Sequence, residues 1–547
     1  MPSTRNESVD IETRFCRYAD RQWRRVLTQM DRDPLSPTFG CFDRNYWHYK
    51  IRDFPSSILQ QGVFTVEALR SGILTNDVAR DVAERWSVGA ISAFSRQIDA
   101  NGGVDEYYPF ERSYPAAAFG MYAVARVLFD WRESASSLTD SIDLRPIQQL
   151  IVNLSQRVES EASNQQAAGL AGLALAAATC LFDIDDDIIR GHAVRLLQSQ
   201  HVEGWFDEYG GPDFGYLTVT IDALTDYFDA TGDDRAIKAI DSAVSFIARC
   251  VGCDGRLPST LNSRNTDYVV PYGLVRAGAR NPIASWLVQT LFRDIDEPSH
   301  FLWATDDRYH THYIFASIVR SLPHLATMLP PSTPEWDTCD WMDGAGYGIR
   351  RAENREWTVF VGARKGGLVR IHSRDGGTVR VDHGWRVLDG KHIWTTNWWS
   401  KQWRVSRNDD CITVEGPCQD VRFHIASPLR NGALRIVSFL TRDKLIPLLK
   451  RKMIFRPNTN PGPAFKRTIT VSDASVRVAD HFEKHSGATA YRSPRQNLRH
   501  VASADSFSAE EFLTSVDQTK HAIPLDTARD IEHEIRLERN IIGDSSR

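Results

Sequence analysis

The sequence predicts helical hairpins over residues 1–330, followed by an antiparallel β-rich region over residues 331–547. Three observations carry this. Apolar residues recur at helical spacing from about residue 15 to 328. Short alternating runs replace them beyond the Pro-rich segment Leu329-Pro-Pro-Ser-Thr-Pro334. One loop motif also returns at a fixed interval. At 547 residues, with 42% hydrophobic and 25% charged, the chain has ordinary globular composition and material for two or three domains.

The helical period is clearest at residues 61–70, 78–98, 115–131, 147–158, 165–181, 188–200, 216–230, 236–250 and 309–328, with Gly, Asp and Asn between the runs. Asn101-Gly102-Gly103-Val-Asp-Glu106-Tyr107 is echoed by Glu203-Gly204-Trp-Phe-Asp-Glu208-Tyr209, and Asp254-Gly255-Arg-Leu begins a third copy. The three glycines lie 102 and 51 residues apart, which is two units and one. A unit of that length fits a helical hairpin plus loop, as in a helical array or toroid.

Beyond the Pro-rich segment, residues 357–362, 367–372, 377–382, 411–415 and 421–425 read as strands, with further candidates at 434–440, 468–471 and 474–478. Many short strands at close spacing predict a β-sandwich or a large antiparallel sheet.

Composition also excludes function classes. Sixty-five Lys and Arg against 70 Asp and Glu give a net charge of −5, with no basic excess for nucleic acid. Residues 1–20 are polar with no apolar signal core, and no run reaches the ~18 apolar residues of a membrane helix. The expected location is the cytoplasm, or the periplasm if the true start lies upstream. Cys250-Val-Gly-Cys253 is a lone CxxC with no second pair, so no zinc or redox site is expected. His310 and His312 stand two apart, pointing away from each other on a helix, and share no metal. No phosphate loop, nucleophile elbow, HExxH or nucleotide fingerprint is present, so no cofactor is expected.

Fifteen Trp, 16 Tyr and 25 Phe supply flat rings of the kind on which sugars stack. The densest segment is Phe39-Gly-Cys-Phe-Asp43-Arg44-Asn45-Tyr46-Trp47-His48-Tyr49-Lys50, too polar for a plain core. Glu106-Tyr107-Tyr108-Pro109-Phe110-Glu111-Arg112-Ser113-Tyr114 leads into an apolar helix, a place that favours anions, and Arg112 there can hold a carboxylate. The Gly-rich Glu203–Tyr216 loop offers Glu208 and Asp213 as an acid/base pair and sets Tyr216 at a helix start. Asn262-Ser-Arg264-Asn265-Thr-Asp267-Tyr268 and Asp306-Asp307-Arg308-Tyr309 are further loop-to-helix junctions. His372, His383 and His392 lie in the β-rich part.

Together, CFDRNYWHYK, EYYPFERSYPAAAF, EGWFDEYGGPDFGYLT, NSRNTDYVVPYG, DDRYHTHY and the stretch from GGLVRIHSRDGG to TTNWW resemble the heparinase II/III-like proteins of bacterial surface-polysaccharide clusters. The resemblance runs in order through most of residues 38–400. It implies an (α/α) toroid followed by an antiparallel β-sandwich, an α+β multidomain chain, and a polysaccharide or oligosaccharide substrate. In such lyases a Tyr on a toroid loop and a His or Asn act on a uronic acid, whose carboxylate is neutralised. Tyr216 matches that Tyr, with Tyr209 as alternative. Where the lyases carry an Asn-His pair, this chain reads Glu111-Arg112-Ser113, and only His372 lies near the position of their strand histidine.

The expectation is a lyase cleaving an anionic polysaccharide by β-elimination. Tyr216 is then acid or acid/base, His48 the base and Arg112 the carboxylate neutraliser. Asp43, Arg44, Trp47, Tyr108, Asp213, Arg264, Asn265, Tyr268, Arg308 and Tyr309 line the substrate. The alternatives are a glycoside hydrolase using Glu208 with Asp213 or Glu111, and a non-catalytic glycan-binding protein.

Overall fold

The computed structural model describes residues 10–75, 77–375, 380–408, 410–421, 427–442, 460–493 and 522–537. The chain begins with α1 (Ile11–Leu27) and α2 (Arg44–Trp47). There follow α3 (Val63–Arg70), α4 (Arg80–Gln97), α5 (Tyr114–Ser134), α6 (Arg145–Ser155), α7 (Ser163–Ala178), α8 (Asp186–Gln198) and α9 (Phe214–Thr231). The helical part ends with α10 (Asp234–Arg249), α11 (Tyr272–Gly278), α12 (Pro282–Leu291), α13 (Asp307–Tyr309) and α14 (Phe315–Ser321).

Six of these helices close a ring. α3, α5, α7, α9, α11 and α14 each touch the next, and α14 returns to α3. Helices α4, α6, α8, α10 and α12 stand outside, and α1 packs on α14 and α3. Sequence explains the layering. α7 is small or apolar on every side and is buried over nearly its whole length, as is α5. The outer α6 and α10 bury one apolar stripe, of which Ile240, Val244 and Ile247 are the α10 share, and leave the other face to water.

The repeated glycines mark equivalent places in three of the hairpins. Gly102, Gly204 and Gly255 all have left-handed φ, of 74°, 103° and 80°. A Cβ at Gly102 would stand 2.3 Å from the Gln149 carbonyl of α6, and one at Gly204 2.2 Å from the Ser242 carbonyl of α10. Each loop thus presses its glycine on the next outer helix, where no side chain fits.

The expected helix at 309–328 is broken. Between α13 and α14 the chain makes a π-helical turn, His310–Ile314, and a 3₁₀ turn, Leu322–Thr327, follows. Turns of the π type cluster at functional sites.

The strands are β1 (Cys339–Met342), β2 (Tyr347–Arg351), β3 (Trp357–Gly362), β4 (Leu368–Ser373), β5 (Arg380–Asp382), β6 (Trp385–Leu388), β7 (Ile393–Thr395), β8 (Arg404–Arg407), β9 (Cys411–Pro417) and β10 (Gln419–Val421). After α15 (Pro428–Thr441) come β11 (Ala464–Val471), β12 (Ser475–Phe482), β13 (Thr489–Arg492), β14 (Ile523–Pro524) and β15 (Arg529–Arg536). They form three antiparallel sheets ordered β1-β2-β3-β4-β5, β10-β7-β6-β13-β14 and β15-β12-β11-β9-β8. Val359, Val361, Val369 and Ile371 of the first sheet pack on Ile469, Val476 and Val478 of the third. Tyr347, Ile349, Phe360 and Leu368 join the toroid core, so the first sheet lies between the helices and the third sheet. The chain is an α/α toroid followed by stacked antiparallel sheets.

One expected strand is corrected: residues 434–440 belong to α15, started by the Ser427 Oγ cap on Arg430 N and by Pro428. Of the expected strands at 377–382 and 421–425, residues 377–379 and 422–425 lie outside the described residues. Cys250 and Cys253 are free thiols. Burial pushes the Cys253 thiol up to about 11, and its Sγ points at the His372 carbonyl, 3.3 Å away.

Candidate active site

The expected site motifs precede helices of the inner ring, so the fold gathers them on one rim. Segment 43–62 leads into α3, 105–113 into α5, 207–213 into α9, 262–271 into α11 and 305–309 towards α14.

The Asp43 segment builds its own local network. Asp43 caps α2 through Asn45 N (3.1 Å), and its other oxygen accepts Ser56 N (2.8 Å) and Arg52 (3.3 Å). Arg44 donates to the Thr28 carbonyl, and the Trp47 indole to that of Gln29. His48 is exposed, and its ring packs edge-on against Trp47 and Tyr49. His48, expected as the base, thus stands at the surface, with Trp47 and Tyr49 as its ring neighbours.

In the next loop Glu111 binds backbone. Its Oε2 accepts the backbone N–H of Glu106 (3.1 Å) and of Tyr107 (2.7 Å). Burial, with Glu106 nearby, pushes its carboxyl up to about 8. Arg112, expected as the carboxylate neutraliser, follows it in the same loop. Its Nε donates to Asp99 (2.8 Å), an ion pair across the loop, and its backbone sits at φ +51°. Burial raises the half-buried Tyr108 phenol. Glu106, which sequence reasoning did not single out, links two loops: it accepts from Ser113 Oγ (2.7 Å) and from Arg308 (2.6 Å). The Arg308 guanidinium also lies 4.8 Å over the Tyr107 ring.

Glu208 and Asp213 are buried together. Glu208 accepts from Asn164 N (2.8 Å) and Asn164 Nδ2 (2.6 Å), and burial holds its carboxyl well above the usual range. Asp213 caps α9 through Tyr216 N (3.1 Å); burial lifts it to about 6. Asn262 Oδ1 takes the Phe214 N–H, so loops 208–213 and 262–266 are laced together. Gly211 lies flat beneath Trp399 of the β-rich part, where a Cβ would stand 2.3 Å from the indole.

Above these loops the structure assembles what the sequence lists separately. The Tyr268 ring stands 6.3 Å from Tyr216, 6.1 Å from Tyr309 and 5.9 Å from Tyr313, and Tyr313 is 6.2 Å from Tyr216. Arg264 lies 4.2 Å over the Tyr209 ring on one side. Burial, with Tyr309 beside it, drives the Tyr216 phenol well above its ordinary range, while Arg264 pulls the other way. Tyr309 is raised only to about 12: burial lifts it, and Arg308 and Arg264 both oppose. The four tyrosines thus form one cluster, and both guanidinium groups act electrostatically on its Tyr309.

Three more members, Lys365, His312 and Tyr313, were not among the expected site residues. Lys365, from the turn before β4, is buried and donates to the carbonyls of Thr260 (2.6 Å) and Asn262 (2.8 Å) and to Asn265 Oδ1. It holds Asn265 at φ +57°, next to Arg264. His312, in the π turn, bonds Gln61 through Nδ1; burial pushes it well below its usual value, so it is neutral. Tyr313 follows it. Nothing local marks Lys365, whereas the Tyr-His-Thr-His-Tyr run does mark the π turn. The β-rich histidines lie elsewhere in the network. His372 is buried between Asp254 (2.8 Å) and Arg370 (2.7 Å), and His392 meets Asp389 (3.1 Å). Burial lowers His383 to about 4.

Among the described residues no group of three or more His, Cys, Asp or Glu is placed to hold a metal ion. No helix of the described residues is long and apolar enough to cross a membrane.

No protein-family model matches the chain, and no curated protein matches it. Among solved structures it is similar to the chondroitin AC lyase of Streptomyces coelicolor A3 in complex with chondroitin sulphate. The TM-score is 0.52 at 10% identity, over 90% of this chain and 69% of that one. The two share a fold. A Paenibacillus xanthan lyase matches at a TM-score of 0.46 and 8% identity, over 89% of this chain and 47% of that one.

Proposed function

We propose that this protein is a polysaccharide lyase that cleaves an anionic, uronate-containing glycan by β-elimination. The observation that carries the reading is the cluster of Tyr216, Tyr268, Tyr309 and Tyr313, with Arg264 and Arg308 acting on Tyr309 and its two outer phenols in different electrostatic surroundings. Support also comes from the shared fold, since the enzyme of like fold binds chondroitin sulphate, an anionic polysaccharide.

Arg264 neutralises the uronate carboxylate and so acidifies the C5 proton. Arg308, already paired with Glu106, steadies the neighbouring sugar. Tyr309, once it has lost its own proton to solvent to give the phenolate that both guanidiniums favour, accepts the C5 proton. The electron pair forms the C4–C5 double bond as the glycosidic C4–O bond breaks, and Tyr216 protonates the leaving oxygen. Environments that push two titratable groups apart assign base and acid in this way. Asn265, oriented by Lys365, and the Tyr268 ring position the sugar.

The paired-carboxylate hydrolase has less support. Glu208 and Asp213 are each about 1% exposed and spend oxygens on backbone N–H groups of the loops they build. The deciding experiment follows ultraviolet absorbance of the conjugated product on a panel of uronate polysaccharides. Wild type should give a rise that Tyr216→Phe abolishes while keeping its fold. Reducing ends released without that absorbance would replace elimination by hydrolysis.

A further inference from the structure

Helix α15 is built inside out. Along an α-helix each residue turns by about 100°, so Leu429, Ala433, Ile436 and Leu440 share one stripe, with Val437 and Phe439 at its edges. In a helix that packs on a core this stripe faces inward. Here Ser438, on the opposite side, is the buried residue, while Leu429 is 88%, Ile436 64%, Phe439 61% and Leu440 72% exposed. Two contacts fix that orientation. Arg435 pairs with Asp53 of the toroid (2.7 Å), and the Phe439 ring meets Phe110 at 5.2 Å.

The charge is one-sided as well. Residues 428–442 contain Arg430, Arg435 and Arg442 and no Asp or Glu, in a chain whose net charge is −5. The arginines flank the apolar stripe, where long side chains reach past a lipid boundary to headgroups. The patch continues onto the toroid rim: Phe110 and Tyr107 are about half exposed, and Tyr49 and Ile51, near Asp53, are 56% and 73% exposed. Exposed apolar side chains clustered on one helix face mark an interaction site. Apolar stripe, flanking arginines and absence of acid together match an interfacial helix rather than a protein groove.

We infer that α15 lies on the surface of an anionic lipid bilayer, with its apolar stripe among the acyl chains and Arg430 and Arg442 at the headgroups. The inference stands apart from the proposed chemistry. It brings the rim carrying Tyr107 and Arg308 to the membrane surface.

The test is vesicle co-sedimentation of the full chain, with phosphatidylcholine alone and with an equimolar mixture of phosphatidylcholine and phosphatidylglycerol. The expected result is sedimentation with the mixed vesicles only, lost at high salt and lost in Ile436→Asp/Leu440→Asp. Both positions are exposed, so the variant should keep the wild-type circular dichroism and melting curve. Arg430→Glu should weaken binding at least tenfold. Failure to sediment with either vesicle overturns the inference. If light scattering then shows a doubled mass that the same double variant halves, a second copy of the chain covers the stripe. Vesicle binding that survives the double variant also overturns it, by placing the contact elsewhere.

Discussion

Lys365→Met removes one buried ammonium and keeps an apolar stem of similar length, which isolates what that charge does. Lys365 is 3% exposed, and its ammonium serves the Thr260 and Asn262 carbonyls and Asn265 Oδ1, all in one loop of the helical part. Without it three buried acceptors lose their donor, at about 1–3 kcal/mol each for a group left unpaired. The variant recovers the desolvation cost of the buried ion, which is several kcal/mol and offsets much of that loss. The net destabilisation expected is about 2–3 kcal/mol, read from the urea midpoint at unchanged slope. Function should suffer more than stability. Asn265 relaxes from its left-handed backbone and carries Arg264 off the Tyr209 ring, and a displacement near 1 Å in a positioning group costs about a hundredfold in kcat/KM. A variant with the wild-type urea midpoint and undiminished kcat/KM would refute the claim that the ammonium ties this loop.

Glu111 makes a pH prediction. Its folded carboxyl sits at about 8 against an ordinary 4.5, so the folded chain holds a proton that the unfolded chain has lost. The stability this contributes is full below the lower value and disappears as pH rises through the upper one. Glu111→Gln keeps an oxygen for the Glu106 and Tyr107 N–H groups and removes the ionisation. The variant should therefore gain on wild type across that window, by up to a few kcal/mol at the alkaline end. Equal urea midpoints at both ends would rule the account out. Asp226, at the other end of α9, accepts from the Tyr122 and Tyr272 hydroxyls and from Arg126 and Arg320 while fully buried. Asp226→Asn leaves two buried guanidiniums without this partner and should cost about 3–5 kcal/mol. A loss under about 1 kcal/mol would show the network to be redundant.

The toroid was legible because its signal is local and repeated. Helical period marks both layers, and the glycines at 102, 204 and 255 mark the hairpins, since each must lie against the next outer helix. Helices α11 and α12 are 7 and 10 residues long, too short for the period to show. Residues 434–440 misled because Ile436, Val437 and Phe439 fit a strand as well as a helix. The deciding signs were Ser427 and Pro428 upstream, and a start cap weighs more than composition within the run. At the site, the sequence placed Tyr216, Arg264, Tyr268, Arg308 and Tyr309 at loop-to-helix junctions, and ring closure brings those junctions together. It did not reveal Lys365, whose partners lie about 100 residues away.

The carboxylates show why an acidic, Gly-rich loop misleads a search for catalysts. A loop entering a buried helix must satisfy the orphan N–H groups at the helix start and those of its own turns. A carboxylate is the strongest acceptor available for that purpose. Glu111, Glu208 and Asp213 all do this, and each is protonation-shifted by the burial that the task requires rather than by a reaction. A perturbed acid at a rim therefore points to catalysis only when its oxygens are left for a ligand. By that criterion attention moves from these carboxylates to the phenols. Burial raises both Tyr216 and Tyr309, but Arg264 opposes it at each and Arg308 at Tyr309, and an anionic sugar would engage those cations. Arg264→Ala should consequently raise KM for an anionic glycan together with its loss of kcat, whereas Glu208→Gln, which still accepts from Asn164, should leave both nearly unchanged. A variant at Glu208 that kills turnover with the fold intact would return the hydrolase reading to the front.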